Sequence, residues 1–183
     1  MNRCPWCIGN ELYEKYHDEE WGVPVHDDKK HFEFLVLESA QAGLSWLTIL
    51  KKRENYRKAY DGFDAEKIAI YGEEKIEELM NNPGIVRNRR KIEASINNAK
   101  RFLEVKKEWG SFDKYIWSFV DYKPVRNHWE ELSQVPSTTE LSDKISKDLK
   151  KRGFKFLGST IIYAHIQATG LVNDHLVTCF RYS

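Results

Sequence analysis

The chain has 183 residues and carries 29 basic against 28 acidic side chains, which gives a formal net charge of +1. Hydrophobic residues make up 41% and charged residues 31% of the sequence, a balance typical of a globular protein and not of a disordered one. The length fits one domain or at most two small lobes, and the near-zero net charge excludes a uniformly basic coat for nucleic acid.

No apolar run approaches the roughly 20 residues that a membrane helix needs. The first ten residues, MNRCPWCIGN, also lack the apolar stretch of a secretory signal, so we expect a cytoplasmic protein. The cysteines are Cys4, Cys7 and Cys179. An odd number in a cytoplasmic protein favours metal binding or free thiols over a disulfide framework.

Helical patterns dominate the chain. A short helix is predicted over 11–18, and Asp27 or Asp28 can cap a second helix that ends at about Ala42. The other predicted helices cover about 46–60, a short segment from Asp64, 73–80, 89–108, 112–119, 138–151 and 156–169. No segment alternates with a period of two, so the predicted fold class is all-α, with residues 121–137 as the only candidate lobe boundary.

Capping residues support these boundaries. Ser45 is a suitable N-cap for the helix that follows it, and Leu44 and Ile49 then occupy the two positions of a hydrophobic staple. Asn88 can cap the long amphipathic helix after it, and Gly170 is a good C-terminal cap for the last predicted helix.

Glu38 is a carboxylate inside the otherwise apolar stretch FLVLESAQAGLSW, residues 34–46. Ionised carboxylates are rarely fully buried without a partner, because leaving water costs the charge its hydration. The side chain therefore either points to solvent or is buried where something can pair with it, and the stretch alone leaves both readings open.

Cysteines and histidines near the two termini are candidate metal ligands. His175 and Cys179 are four residues apart, a spacing that would set both on one face of a helix. Cys4 and Cys7 lie in RCPWC, and His17 follows on the first predicted helix. Two cysteines and two histidines would make a closed, structural zinc site, whereas three ligands with an open position would indicate a zinc hydrolase. Simple burial remains the alternative, and spacing does not choose between Cys4 and Cys7.

The segment ELMNNPGIVRNRRKIEA, residues 78–94, predicts a helix, a tight turn at Gly84 and a second helix. Backbone N–H groups at such a helix start can bind a phosphate. Arg87, Arg89 and Arg90 flank the turn, where they oppose the helix dipole unless an anion compensates them. We therefore predict contact with DNA phosphate, against the alternative of an ordinary hairpin with a solvated basic start.

The sequence as a whole resembles DNA-3-methyladenine glycosylase I, a family of bacterial base-excision repair enzymes in the helix-hairpin-helix superfamily. The matching stretches run from end to end in the family's order: RCPW (3–6), YHDEEWGVP (16–24), QAGLSWLTILKKRENYRKAY (41–60), GIVRNRRKI (84–92), WSFV (117–120), LKKRGFKFLGSTIIYA (149–164) and GLVNDH (170–175). The resemblance implies a single glycosylase domain over residues 1–183. It also implies a helix-hairpin-helix element at about 73–108 and a zinc site that joins residues 4–17 to residues 175–179.

The resemblance implies specific roles for several residues. One structural zinc ion would be bound by Cys4, His17, His175 and Cys179, with Cys7 outside the ligand set. Glu38 would read the edge of a flipped base held between Tyr16 and Trp46. Tyr13, Trp6 and Trp21 would line the same pocket. Leu44, next to Gly43, would fill the gap that the base leaves in the duplex.

The resemblance also implies a reaction, the excision of 3-methyladenine from double-stranded alkylated DNA. A monomer is expected because no unexplained apolar helix face stands out in the sequence. No aspartate occurs between Asp64 and Asp113, although the superfamily usually carries a catalytic aspartate soon after the hairpin. We therefore hypothesise that no strong general base is used and that Glu38 either binds the base or orients water. Monofunctional hydrolysis is expected because no lysine is marked out as a Schiff-base nucleophile. A DNA-binding module without chemistry is the rival reading. The histidines His26, His31, His128 and His165 show no partner pattern and receive no predicted role.

Overall fold

The structure is a computed structural model that describes residues 1–182. Its α-helices are α1 (Glu11–Glu19), α2 (Asp28–Gln41), α3 (Trp46–Ala59), α4 (Ala65–Ala69), α5 (Glu73–Met80), α6 (Arg89–Trp109), α7 (Phe112–Ser118), α8 (Glu140–Lys151) and α9 (Ser159–Ala168). A two-residue parallel pair joins β1 (Val125–Arg126) to β2 (Val172–Asn173). The predicted all-α class is therefore confirmed, and strands this short cannot show alternation in the sequence.

The predicted N-caps are confirmed by their hydrogen bonds. The side chain of Asp27 accepts from the backbone N–H of Lys30 at 2.7 Å. Ser45 caps α3 and Asn88 caps α6 in the same way. Each side chain accepts a hydrogen bond from the backbone N–H three residues ahead. Each bond satisfies one of the N–H groups that a helix start leaves without a partner.

Helix α2 is the centre of the fold, because it packs against α3, α6, α7 and α9. Its residues from His31 to Ala40 are all buried, so it exposes little of its surface to water after the first turn. A helix surrounded on all sides has no solvent face on which to place a polar residue. This packing decides the position of Glu38, which lies in the buried part of α2.

Two segments differ from the sequence-based expectation. The last helix begins at Ser159 and not at about 156, because Gly153 and Phe156 adopt positive φ angles of 88° and 57° in the preceding turn. The segment 174–182, where helical spacing of His175 and Cys179 was considered, contains turns and no helix. None of the described helices is long and apolar enough to cross a membrane.

Gly170 directs the chain after α9. Its φ of +73° suits a residue without a Cβ, and a Cβ there would come within 2.5 Å of the backbone at Val23 and Pro24. This close approach lets the N–H of Val25 donate to the carbonyl of Thr169 at 2.9 Å. The end of α9 is thereby tied to the segment that precedes α2.

Candidate functional site

Five aromatic side chains line one cavity of about 250 Å³. Pockets for drug-sized ligands measure roughly 300–1,000 Å³, so this cavity suits a single small ring system. The residues that contribute polar atoms or rings to its wall include Trp6, Tyr13, Tyr16, Trp21, Glu38, Gln41, Trp46, Gln167 and Asp174. The five aromatic residues and the carboxylate predicted for the base pocket are therefore in one place.

Helical spacing explains how distant stretches supply this wall. Tyr13 and Tyr16 lie three residues apart on α1, and Glu38 and Gln41 lie three apart on α2, so each pair shares one helix face. Trp46 is the first residue of α3, where the cap at Ser45 fixes its backbone. The fourth side of the cavity comes from the C-terminal half of α9.

Glu38 is only 1% exposed and has one hydrogen-bond partner. Its Oε2 lies 2.8 Å from Nδ1 of His165, which is fully buried on α9. Its Oε1 is buried and has no partner among residues 1–182, so a ligand in the cavity can use it. Burial raises the pKa of this carboxyl well above its ordinary range.

The ring of Trp46 is adjacent to that of Tyr16, with centroids 5.8 Å apart and planes inclined by 52°. Rings that enclose a flat base need a separation of about 7 Å, twice the carbon contact distance. The two rings therefore do not form an open sandwich in this structure, and a flat base could lie between them only if they moved apart. Its buried Nε1 has no hydrogen-bond partner in the described chain, so this donor and Oε1 of Glu38 are unpaired polar atoms on residues that line the same cavity.

A compact set of four ligand atoms joins the two ends of the chain. The side chains of Cys4, His17, His175 and Cys179 are buried, and their ligand atoms lie within 4.8 Å of one another. The Cys179 Sγ is 3.4 Å from His17 Nε2 and 3.5 Å from His175 Nδ1. Tetrahedral zinc ligands lie roughly 3.3–3.8 Å apart, given bonds of about 2.0–2.3 Å. These side chains could therefore hold a metal ion.

Neighbouring groups orient both imidazoles toward this centre. Asp18 is 2.8 Å from His17 Nδ1, and the carbonyl of Trp21 is 3.0 Å from His175 Nε2. Each acceptor holds a proton on the outer nitrogen and leaves the inner nitrogen as a ligand. Burial raises the pKa of the Cys4 thiol to about 12, so a thiolate there needs a cation. The fully buried Cys7 lies outside the set, with its Sγ 3.2 Å from the Cys4 carbonyl.

Leu44 follows the C-terminus of α2 and is 40% exposed. Gly43 before it has a φ of +81°, which allows the sharp exit from the helix. The ammonium of Lys91 donates to the carbonyls of Ala40 and Ala42 at 2.9 and 2.7 Å. The first turn of α6 therefore holds the short loop that presents Leu44.

Backbone N–H groups in the turn between α5 and α6 already donate hydrogen bonds within the protein. Gly84 N–H donates to the Asn82 side chain at 2.8 Å, and Val86 N–H donates to the Tyr56 hydroxyl at 3.1 Å. Arg89 forms ion pairs with Glu73, Glu77 and Glu93. Arg87 and Arg90 are exposed. Of the predicted phosphate contacts at this hairpin, these two arginines are therefore the ones whose side chains form no ion pair among residues 1–182.

A second hairpin joins α8 to the cavity-lining helix α9. Lys150, Lys151 and Lys155 are exposed there and form no ion pair within the described chain. The start of α9 has Gly158 as its N-cap and no side-chain cap. This hairpin carries the basic run KDLKKRGFK and leads directly into the helix that bears His165.

Comparison with known proteins places the chain in a family. A family model for methyladenine glycosylase matches residues 6–182. The chain belongs to the methyladenine glycosylase family. Its sequence is 50% identical to DNA-3-methyladenine glycosylase 1 of Escherichia coli strain K12, over 100% of this chain and 97% of that protein. The predicted family is confirmed, and the chain belongs to an enzyme class that hydrolyses N-glycosyl bonds.

Solved structures of methyladenine glycosylases have the same fold. A crystal structure of 3-methyladenine DNA glycosylase I superposes with a TM-score of 0.97 at 49% identity, covering 100% of both chains. A structure of the Staphylococcus aureus enzyme, described as the basis of its 3-methyladenine recognition, has a TM-score of 0.96 at 42% identity, covering 100% of this chain and 97% of that one.

Three residues at or next to the aromatic cavity were assigned no role from the sequence. Gln41 could have been found, because it lies three residues after Glu38 on the same helix face. The pairing of His165 with Glu38 had no signal, because 127 residues separate the two. Asp174 lies in the matching stretch GLVNDH and lines the cavity, but the sequence alone indicated no role for it.

Proposed function

We propose that the protein is a monofunctional DNA glycosylase that flips 3-methyladenine out of alkylated duplex DNA and hydrolyses its glycosidic bond without a strong general base. The observation that carries this proposal is the buried carboxyl of Glu38, whose Oε1 has no partner within residues 1–182 and which lines an aromatic cavity of single-base size. The relatives named above support the same substrate.

Charge distinguishes the damaged base from normal adenine. Methylation at N3 makes the nucleotide's adenine ring cationic and weakens its glycosidic bond. Contact with Tyr16 and Trp46 would add cation–π attraction of about 1–2 kcal/mol in a desolvated site. Hydrogen bonds from a cationic ring to Glu38 are about twice as strong as neutral ones. Normal adenine is neutral and costs more to extract from its paired stack.

The carboxylates of the cavity explain why no strong base is proposed. Asp174 lines the wall, but it accepts hydrogen bonds from the side chains of Asn127, Trp129, Tyr163 and Gln167. A carboxylate whose oxygens already accept four hydrogen bonds has little acceptor capacity left for a ligand. Glu38 is therefore the pocket carboxyl with an oxygen still available. The leaving group is already labile, so selection and charge stabilisation can supply the catalysis.

The test is single-turnover excision of 3-methyladenine from methylated duplex DNA by the wild type and by Glu38→Gln. We expect the wild type to release free base and the variant to bind the base more weakly. If chemistry survives in the variant once binding is saturated, an obligatory base role for Glu38 is ruled out. A wild type that binds methylated DNA but releases no base would refute the glycosylase proposal and support the DNA-binding module.

We also propose that the four-residue cluster binds one structural zinc ion. Two thiolates and two imidazoles match the ligand preference of zinc, and a closed set leaves no position for a catalytic water. Trp21 lies with its ring centroid 4.7 Å from that of His175 and also lines the cavity, so the ion would support the pocket wall. Equimolar zinc with two sulfur and two nitrogen ligands in X-ray absorption supports this assignment, whereas a water ligand opposes it.

We propose one domain over residues 1–183 that acts as a monomer on double-stranded DNA in the cytoplasm, with Leu44 filling the gap left by the base. Its helix-hairpin-helix element at about 73–108 would contact phosphates through Arg87 and Arg90. The exposed position of Leu44 and the support of its loop by Lys91 favour that arrangement.

A further inference from the structure

Cys7 has no role in the proposed pocket or metal site, yet it lies in the same turn as the ligand Cys4. Residues 4–7, CPWC, form a turn that is closed by a hydrogen bond from the N–H of Cys7 to the carbonyl of Cys4 at 3.4 Å. The thiol of Cys7 donates to the same carbonyl at 3.2 Å. Cys7 is fully buried and does not belong to the set of ligand atoms found among residues 1–182. A free thiol is therefore held three residues from a ligand thiol.

The geometry of this turn suits a disulfide. Cys4 precedes a short 3₁₀ helix that Pro5 begins and Cys7 ends. One 3₁₀ turn rises about 2 Å per residue, so the Cα atoms of residues three apart are separated by about 6 Å. Disulfides span Cα separations of about 4.4–6.8 Å. The Cys-x-x-Cys spacing is also the one that thiol oxidoreductases use. A bond between the two sulfurs therefore needs side-chain rotation and no large change in the backbone.

The sulfur of Cys4 can serve only one of two partners. In the structure it faces the other ligands, 3.7 Å from Nδ1 of His175, and it accepts from the N–H of Leu176 at 3.5 Å. A sulfur bonded to Cys7 is no longer a thiolate, which is the form that binds a metal. The three remaining ligands are fewer than the four that structural zinc sites almost always use. Oxidation of this turn would therefore remove a metal ligand.

The aromatic cavity gives a small oxidant a route to Cys4. Cys4 is only 1% exposed, but it lines the same cavity as Tyr16 and Trp46. That cavity of about 250 Å³ is several times the volume of a water molecule, about 30 Å³, so hydrogen peroxide fits inside it. Cys7 does not line this cavity in the described chain. The sulfur of Cys4 is therefore the first that peroxide meets.

We propose that hydrogen peroxide entering through the aromatic cavity oxidises Cys4, that Cys7 then joins it in a disulfide, and that the metal site thereby releases its ion. The Cys4 thiolate takes one oxygen as the O–O bond of peroxide breaks, which gives a sulfenic acid and hydroxide. The sulfur of Cys7 displaces that oxygen, the S–S bond forms, and the oxygen leaves as water with the Cys7 proton. Peroxide gains the two electrons that the cysteines lose. This inference rests on the proposed zinc site.

Cys179 is the competing thiol, because its sulfur belongs to the same ligand set as Cys4. Cys179 Sγ lies 3.4 Å from His17 and 3.5 Å from His175, so it stays among the ligands while the ion is bound. The thiol of Cys7, in contrast, makes its one hydrogen bond in the described chain to the Cys4 carbonyl. Its loop to Cys4 is also already closed, so little chain entropy is lost when the sulfurs join. These contacts favour the bond to Cys7.

Oxidation would also affect the base pocket, because Trp6 lies between the two cysteines in the turn. The centroid of its ring is 5.0 Å from that of Tyr13 and 5.1 Å from that of Trp21, and all three residues line the cavity. Disulfides in cytoplasmic proteins are usually transient and catalytic or redox-sensing. The oxidised protein should therefore bind a base more weakly, and a thiol reductant with added zinc should restore binding.

The test treats the zinc-loaded wild type with hydrogen peroxide and follows the released zinc with a colorimetric chelator. Free thiols are then alkylated and the protein is digested with trypsin. Cleavage after Arg3 and Lys15 gives a peptide that contains Cys4 and Cys7 and no other cysteine. We expect this peptide to become resistant to alkylation, and lighter by two hydrogens, in step with zinc release. A bond between Cys4 and Cys179, or zinc release while both cysteines of the peptide can still be alkylated, overturns the proposal.

Cys7→Ser is the matched variant, because its hydroxyl can still donate to the Cys4 carbonyl and the four ligands are unchanged. It should bind one zinc ion and release it to peroxide at least about fivefold more slowly than the wild type. Equal rates of release would contradict the inference. If Cys7→Ser fails to fold, the peptide map of the wild type decides. Absence of zinc from the untreated wild type would instead refute the proposed metal site, and the peptide map would still report the disulfide.

Occupation of the cavity tests the route of the oxidant. 3-Methyladenine, at a concentration that calorimetry shows to saturate the wild type, should slow the release of zinc by peroxide, because the base fills the space that leads to Cys4. An unchanged rate in the saturated protein would contradict entry through the cavity.

Discussion

The buried pair of Glu38 and His165 predicts an unusual pH dependence of stability. Burial shifts the two pKa values in opposite directions, upward for the carboxyl and to about 3 for the imidazole. Replacing one partner at a time, with Glu38→Gln and His165→Asn, should therefore change the pH dependence of the free energy of unfolding with opposite signs. Both side chains are at most 1% exposed, so screening by solvent is weak.

The magnitude follows from counting protons. In the unfolded chain, the glutamate titrates at about pH 4.3 and the histidine at about pH 6.5. Between these values the unfolded chain holds one proton, on the histidine, and the folded pair also holds one, so the wild-type pair adds no slope. Glu38→Gln leaves the folded state without that proton, so stability should fall as the pH is lowered. His165→Asn leaves Glu38 protonated only in the folded state, so stability should fall as the pH is raised. Each slope is about 1.4 kcal/mol per pH unit, or about 3 kcal/mol across the window.

Urea denaturation of the two variants and the wild type, from pH 4.5 to 6.5, measures these slopes. Differences from the wild type are compared at each pH, so that the metal site and all other titrating groups cancel. His128→Asn should run parallel to the wild type. The reasoning is refuted if the two variants have the same slope, because the folded pair would then not hold one proton.

Three further predictions concern the metal, the loop of Leu44 and the DNA-binding face. Cys179→Ser should abolish stoichiometric zinc and lower the melting temperature, whereas Cys7→Ser should keep one zinc per chain, as measured by metal analysis and calorimetry. Lys91→Met should lower the free energy of unfolding by about 1–2 kcal/mol, through loss of two hydrogen bonds to the end of α2. It should also slow excision from duplex DNA more than Lys75→Met does. Replacing Arg87 and Arg90 together by alanine should weaken DNA binding and lower the salt dependence of the binding constant by about two in slope.

Each of these predictions has an outcome that contradicts it. Loss of zinc from Cys7→Ser alone would assign that thiol to the metal. Equal duplex excision by Lys91→Met and Lys75→Met would separate the Leu44 loop from function. An unchanged salt slope for the double arginine variant would move the phosphate contact elsewhere, and the same measurement on Lys151 and Lys155 would test the hairpin between α8 and α9.

Local features were predictable from the sequence. Helix starts at Asp27, Ser45 and Asn88 were found because a cap is a contact between residues three apart. The family was recognisable because the segments that match it are continuous in the sequence. The resemblance then brought Glu38 and the aromatic residues of the cavity into one hypothesis. Helix spacing failed where tertiary contacts replaced the helix, as at His175 and Cys179, which meet in a turn.

The sequence by itself therefore determined the helices, their caps and the family, because these depend on neighbours in the chain. Only the tertiary structure decided which charges have partners. Glu38 meets His165 across 127 residues, and Arg89 meets Glu73 and Glu77 through the packing of α5 against α6. Burial and pairing depend on contacts between distant segments, and those contacts determine the surroundings of the Glu38 carboxyl. A local pattern contains no information about that environment.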